Sequence, residues 1–214
     1  MDNDEDSFSD EFDDELQLDD DLLIADDEIS PRRMSRSLIP EEIEDEVVGV
    51  AVFTDEFRSR YGRCVPLFYQ GSFSEALNHS VLLPAMDKML LAVYLHHGGS
   101  IQSNIFNSQV LCNETVVEFL AVNFVLWGWD LTHKKNKDTV MKLFVQCRII
   151  NNEIVEDLSM EKLPALLIIN LNIKEHIEII ATMYGNNTVD EVMDVMLRES
   201  KKFEEQRSRM NVSL

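Results

Sequence analysis

Apolar residues along the chain follow two patterns, and the alternation between them predicts strands and helices. Continuous apolar runs of strand length predict buried β-strands. These predicted strands are Leu90–Leu95, Asn123–Asp130, Leu163–Asn170 and residues 176–185. Apolar residues spaced three and four apart predict helices between the strands. The predicted helices are one from Val47 that ends before Gly62, a short one from Ser72, Ile101–Leu111, Asn113–Ala121, Asn136–Cys147 and a last one from Thr188.

Two of these helices have a start signal in the sequence. Ser72 and Glu75 stand three positions apart, and so do Thr188 and Glu191. In a capping box the hydroxyl accepts the backbone N–H of the third helical residue, and the glutamate returns a bond to the cap. Both pairs are therefore predicted to fix a helix start.

The order of these elements, strand–helix–strand–helix–strand–strand–helix, resembles that of the thioredoxin fold. The predicted fold class is α/β, with a thioredoxin-like central sheet and flanking helices, preceded by a disordered acidic tail. Pro164 stands at the start of the third strand, where a proline removes no ladder hydrogen bond. Thioredoxins keep a cis proline at this place. We therefore predict Pro164 as a structural cis-proline.

The net charge of −21 belongs mainly to the tail. Residues 1–46 hold 20 of the 40 acidic residues and three of the 19 basic ones. Such a segment cannot bury enough apolar surface to fold alone, so we predict a disordered tail over 1–46. A thioredoxin-like domain over 47–200 and the start of a charged helix over 201–214 follow it. Nucleic-acid binding is not expected, because it needs clustered basic residues.

Two short segments of the tail suggest interactions. Residues 19–28 (DDDLLIADDE) could add a strand to the sheet edge of a SUMO-like partner, although a solvated acidic spacer explains the same composition. Arg32 and Arg33 precede Ser35 as in a basophilic kinase site, where a phosphate would reverse the local charge.

The junction after the first predicted strand lacks the chemistry of a redox enzyme. Thioredoxin-like enzymes carry a C-x-x-C pair there, and its thiolate is the nucleophile. Here the loop is His96, His97, Gly98, Gly99 and Ser100, while the three cysteines lie far apart in the sequence. We predict no enzyme activity and no catalytic residue. The alternative is a thioredoxin-like enzyme with a non-cysteine active loop.

The two histidines of this loop are candidates that the sequence does not favour. Adjacent residues on a loop point apart, so His96 and His97 cannot both ligate one metal without distant help. Catalysis by His96 would need a nucleophile, and Ser100 or Ser103 would have to supply it. The favoured interpretation is that both histidines cap the strand end, with no metal and no cofactor.

Five stretches together resemble the UAS domain of the FAS-associated factor family. They are FRSRYGRCVPLFYQGSFSEAL, LLAVYLHH, NSQVLCNETVVEFL, NFVLWGWDLT and YGNNTVDEVM, and the resemblance as a whole runs from about Phe53 to Phe203. The motifs YLHH and WGWDLT favour the branch of the family without a membrane hairpin.

This resemblance implies a thioredoxin-like fold without redox chemistry, in an adaptor of ubiquitin-dependent degradation and ERAD that serves the AAA ATPase valosin-containing protein. Ubiquitinated proteins and the ATPase would be bound through modules not visible in this chain, such as the family's UBX domain. The resemblance also implies a response to long-chain unsaturated fatty acids, with self-association. The chain lacks a signal peptide and an apolar run of about 20 residues, so the expected location is cytoplasmic, nuclear or peripheral at the endoplasmic reticulum.

One basic cluster of the domain is the candidate for lipid or partner binding. Lys134, Lys135 and Lys137 follow the second predicted strand, so they are expected at an edge of the sheet. Under the family resemblance, their charges would meet fatty-acid carboxylates. A solvated loop explains the same residues without a ligand, and the acidic tail could cover them in cis.

Overall fold

The fold consists of seven helices and four strands in the part of the chain that the computed structural model describes, which is residues 36–84, 87–151, 153–172 and 174–212. The strands are β1 Leu90–His96, β2 Phe124–Asp130, β3 Ala165–Leu171 and β4 Ile177–Tyr184. The helices are α1 Glu46–Tyr61, α2 Phe73–Asn78, α3 Ile101–Phe106, α4 Glu114–Asn123, α5 Lys134–Gln146, α6 Glu153–Glu156 and α7 Val189–Val212. A π-helical turn, Asn107–Leu111, continues α3.

The strands form one mixed sheet in the order β2-β1-β3-β4. Strands β1 and β2 are parallel, with Leu90 beside Phe124 and His96 beside Asp130. Strands β3 and β4 are antiparallel to each other, and β3 is antiparallel to β1. This topology with helices around it confirms the thioredoxin-like α/β fold class.

Aromatic rings fill the space between α1 and the sheet. Phe53 packs edge-on against Phe68 at 5.1 Å between ring centroids, and Phe57 packs against Tyr94 at 5.9 Å. Gly128 of β2 makes this approach possible, because a Cβ there would lie 2.4 Å from the Phe53 ring. Such aromatic pairs add about 0.5–1.5 kcal/mol each beyond area burial, and they fix α1 on the sheet.

The local signals of the sequence are present in the structure. Ser72 and Glu75 form a capping box at α2, and Thr188 and Glu191 exchange the corresponding bonds at 2.9 and 3.3 Å before α7. The Leu163–Pro164 peptide bond is cis. None of the helices in the described part of the chain is long and apolar enough to cross a membrane.

Two domain boundaries differ from the sequence prediction. Residues 36–46 were assigned to the disordered tail, but Leu38 and Ile39 are fully buried, so this part of the prediction is wrong. The high density of acidic residues around Leu38 and Ile39 predicts disorder. The two residues are buried because they pack against parts of the chain that are distant in sequence, such as Asp130. Helix α7 crosses the boundary at residue 200 and buries Phe203. Residues 1–35 lie outside the described residues. They include Ser35 and residues 19–28, the segment predicted to bind a SUMO-like partner.

Candidate functional site

The candidate site lies at the carboxyl ends of the parallel strands β1 and β2, where His96 and Asp130 are neighbours in register. Ligands of open α/β sheets commonly bind in this position. The loop from His97 to Ser100 leaves β1 here and leads into α3. Ser100 Oγ donates to the carbonyl of Leu163 at 2.6 Å, so the loop is joined to the segment of the cis proline.

His96 is a buried, neutral residue at this strand end. Tyr94 Oη donates to Asn107 Oδ1 at 2.6 Å. Its oxygen lies 3.0 Å from His96 Nδ1, and the side-chain amide nitrogen of Asn107 lies 3.5 Å from the same Nδ1. Burial lowers the pKa of His96 to about 4. Its Nε2 is buried and has no hydrogen-bond partner among the described residues.

The carboxylate of Asp130 organises the site. Its Oδ2 accepts hydrogen bonds from Ser37 Oγ at 2.6 Å, from Leu38 N at 2.5 Å and from Ile39 N at 3.1 Å. Its Oδ1 accepts the backbone N–H of Thr132 at 2.8 Å and the hydroxyl of the same residue. Burial alone would raise the pKa of Asp130, but the hydrogen bonds from Ser37 and Thr132 act in the opposite direction, and the pKa lies below its ordinary value.

Residues 36–40, here named the N-terminal strap, cover this strand end. Leu38 and Ile39 are fully buried, and the side-chain amide of Asn136 donates to the Ile39 carbonyl at 3.2 Å. The buried Arg60 donates through Nη1 to the Arg36 carbonyl at 2.8 Å. Gly98 lies beneath the strap, because a Cβ at Gly98 would stand 2.5 Å from the Arg36 oxygen.

Sequence reasoning missed the strap and its anchor. The available signal was the apolar pair Leu38-Ile39 before Pro40, surrounded by acidic residues, together with an aspartate directly at the end of a buried strand. The same reasoning placed both histidines on a loop, whereas His96 is the last residue of β1. His97 is partly exposed, and its Nδ1 accepts the Gly99 N–H at 3.1 Å.

The structure gives no activated nucleophile at this site among the residues it describes. Ser100 donates to a carbonyl, and Ser103 is fully buried with its hydroxyl unpaired within the described residues. Burial raises the pKa of Cys112 to about 12 and also raises that of Cys147, so both are thiols at neutral pH. No group of three His, Cys, Asp or Glu within the described residues could hold a metal ion.

The lysine cluster lies in the first turn of α5 and not in a loop. Lys134 and Lys135 are exposed, and Lys135 Nζ lies 3.1 Å from Glu44. Lys137 Nζ donates to the Leu158 carbonyl at 3.1 Å. Cations at a helix N-terminus add to the positive end of the helix dipole, so this surface attracts anions.

These observations define a thioredoxin-like domain in which a buried carboxylate at a strand end binds an N-terminal strap. A family model described as Fas-associated factor 1 matches residues 53–198. The chain belongs to the FAS-associated factor 1 family.

Individual relatives agree with this membership. The chain is 38% identical over 160 residues to human FAS-associated factor 1, an alignment that covers 73% of this chain and 24% of that protein. It is 30% identical over 158 residues to UBX domain-containing protein 3 of Caenorhabditis elegans, covering 69% of this chain and 25% of the relative. The chain thus spans about a quarter of the length of these relatives.

Among solved structures, a thioredoxin from Thermus thermophilus superposes with a TM-score of 0.44 at 13% identity. That match covers 64% of this chain and 87% of the thioredoxin.

Proposed function

We propose that this chain is a non-enzymatic interaction domain of an adaptor in ubiquitin-dependent protein degradation linked to the AAA ATPase valosin-containing protein. The observation that carries the proposal is that two polar side chains at the carboxyl ends of β1 and β2 are hydrogen-bonded within the fold and are not available for catalysis. At the carboxyl ends of β1 and β2, Asp130 binds the strap and Ser100 binds the Leu163 carbonyl. The similarity to UBX domain-containing protein 3 of Caenorhabditis elegans supports the assignment to an adaptor.

An insulin-reduction assay tests the non-enzymatic part of the proposal. The chain should not reduce insulin disulfides above a buffer control, because it has no C-x-x-C pair and burial raises the pKa of Cys112 and Cys147. A variant with Cys64, Cys112 and Cys147 all changed to serine provides the matched control. Reductase activity that disappears in this variant would contradict the proposal and favour the alternative of an enzyme with a changed active loop.

A pull-down tests the adaptor part. Ubiquitinated proteins and the ATPase would bind through other modules of the longer proteins in this family, in the cytoplasm, in the nucleus or at the surface of the endoplasmic reticulum. The 214-residue chain alone should therefore not form a stoichiometric complex with the purified ATPase. A stable equimolar complex would show that this domain itself carries a docking element.

For the α5 surface, the proposed ligand is the carboxylate of a long-chain unsaturated fatty acid. Lys134 and Lys135 are exposed at the positive end of a 13-residue helix whose first turn holds no acidic residue. Met160, 51% exposed, follows Leu158, the residue that Lys137 contacts, and provides apolar surface nearby.

Light scattering with oleate below its micelle concentration tests this proposal. Oleate should induce self-association of the chain, and changing Lys134, Lys135 and Lys137 to glutamine should abolish it. A matched control changes the exposed Lys142, Lys174 and Lys201, which lie outside the first turn of α5, to glutamine. Loss of the response in the control variant alone, or no response in any variant, would contradict the assignment of the surface.

A further inference from the structure

The strap is anchored through a hydroxyl group that can be modified. Ser37 Oγ lies 2.6 Å from Asp130 Oδ2. Asp130 Oδ2 also accepts the backbone N–H groups of Leu38 and Ile39. We propose that Ser37 is a phosphorylation site and that its phosphorylation releases the N-terminal strap from Asp130. This regulation goes beyond the interaction role proposed above.

A phosphate on Ser37 is incompatible with the docked strap for two reasons. The single hydroxyl proton of Ser37, which has both Asp130 Oδ2 at 2.6 Å and the Ile39 carbonyl at 2.5 Å as acceptors, is lost when Oγ becomes an ester oxygen. The phosphate then brings a charge of about −1.5 to −2 against a buried carboxylate. At a separation of 2.6 Å between the two oxygens, there is no room for a phosphorus atom with three further oxygens.

Two guanidinium groups and two histidines lie around this contact. Arg60 faces the strap from α1, where its Nη1 donates to the Arg36 carbonyl and its buried Nε has no partner among the described residues. His96 faces Asp130 from β1 and is neutral, because burial lowers its pKa to about 4. His133 lies beyond the strap and is 3.8 Å from Glu41. The Arg60 and the exposed Arg36 guanidinium groups attract a phosphate, but neither makes room for it between Ser37 Oγ and Asp130 Oδ2, so the steric conflict remains in the docked strap.

The sequence around Ser37 suits a kinase that recognises basic residues. Arg32, Arg33 and Arg36 are the only basic residues among the first 57, and all three precede Ser37 within five positions. Ser37 is partly exposed and Arg36 is exposed, so the kinase would act on the transiently released strap. Phosphorylation would hold the released state, because only that state accommodates the phosphate.

The reaction requires only ATP as co-reactant. Ser37 Oγ forms a bond to the γ-phosphorus, the bond between that phosphorus and the β,γ-bridging oxygen breaks, and ADP leaves. The hydroxyl proton passes to the catalytic base of the kinase and then to solvent. Release of the strap would uncover Asp130 and the apolar surface under Leu38 and Ile39, at the end of the sheet where α/β proteins bind ligands.

Hydrogen–deuterium exchange of the full 214-residue chain tests the proposal. The chain is incubated with a basophilic serine/threonine kinase and Mg-ATP, and the modified site is assigned by mass spectrometry. Phosphate should be found on Ser37, and the amides of Leu38 and Ile39 should exchange at least ten-fold faster. Amides of β1 and β2 should stay protected over the labelling times at which the strap exchanges, since the sheet stays folded.

Matched variants separate Ser37 from its neighbour. Ser35→Ala should still accept phosphate at Ser37 and release the strap, and Ser37→Glu should release it without a kinase. In Ser37→Ala, kinase treatment should leave exchange of the strap unchanged. The proposal is overturned by absence of phosphate on Ser37 in the Ser35→Ala chain. It is also overturned by unchanged or slower strap exchange after phosphorylation of Ser37, or by equal acceleration in kinase-treated Ser37→Ala.

Discussion

The strap site and the α5 surface both contain charged side chains, but the two regions differ in how far these side chains are buried. At the strap site, Asp130 is fully buried and binds donors from two chain segments. On the α5 surface, Lys135 and Glu44 form an ion pair with side chains that are 44% and 83% exposed. The two regions are adjacent. Residues 41–45 connect the strap to α1, and on the way Glu41 contacts His133 and Glu44 contacts Lys135 of α5.

The difference between the two regions concerns what a charge contributes. Removing one partner from a buried, hydrogen-bonded charge leaves the others unsatisfied and typically costs about 3–5 kcal/mol. Exposed ion pairs contribute only about 0–1 kcal/mol and weaken in salt. The strap site therefore stabilises the fold, whereas the α5 surface can change partners at little cost to stability. That property suits a binding surface.

Removal of the Asp130 carboxylate should have the largest effect. Asp130→Ala leaves the backbone N–H groups of Leu38 and Ile39 without their acceptor. Each unsatisfied buried donor costs about 1–3 kcal/mol, so the free energy of unfolding should fall by about 2–6 kcal/mol. Urea denaturation followed by circular dichroism measures this change. Asp138→Ala, at an exposed position of α5, is the control and should change stability by less than about 0.5 kcal/mol. Equal effects of the two substitutions would contradict the comparison.

The sequence predicts the sheet better than the site, for a physical reason. The strands are continuous apolar runs, and the capping boxes are formed by residues three positions apart, so local pattern is enough. The strap contact joins Ser37 to Asp130 across 93 positions, and the local composition around Leu38 is that of a disordered segment. Only the tertiary structure shows that Asp130, at the end of β2, accepts the backbone N–H groups of Leu38 and Ile39.

The histidine of the strap site should make stability depend on pH. The folded-state pKa of His96 is lowered to about 4 from 6.5 by burial, so between these values the unfolded chain binds a proton that the folded chain does not. Stability should therefore fall as the pH drops from 6.5 to 4, by about 3 kcal/mol in total. Urea denaturation at several pH values measures this slope.

The variants His96→Asn and His176→Gln sharpen this test. His96→Asn removes the titrating group and should reduce the slope between pH 6.5 and 4, although it also lowers stability at neutral pH. His176 is exposed, and its substitution should leave the slope as it is in the parent chain. An unchanged slope in His96→Asn would assign the pH dependence to other residues.

The two glycines of the loop test how closely the strap covers it. A Cβ at Gly98 would lie 2.5 Å from the backbone oxygen of Arg36, whereas a Cβ at Gly99 would meet the His97 side chain at 3.2 Å. Backbone cannot give way as a side chain can, so Gly98→Ala should cost about 1–3 kcal/mol and Gly99→Ala less. Gly98→Ala should also accelerate amide exchange in the strap. A larger loss for Gly99→Ala would show that the strap is not in close contact with the loop.

The smallest expected effect concerns the acidic residues near the α5 surface, and it depends on where the chain is cut. Because residues 36–46 belong to the fold, a deletion that tests competition by the tail should remove only residues 1–35. Each close pair of exposed charges contributes about 1 kcal/mol in water, but the deleted segment carries 15 acidic residues. If these residues compete for Lys134 and Lys135, the deletion should increase oleate-induced self-association at low salt. The increase should disappear near 1 M salt, where the screening length is about 3 Å. Light scattering of the full and shortened chains at both salt concentrations measures this, and an increase that is equal at both would exclude electrostatic competition.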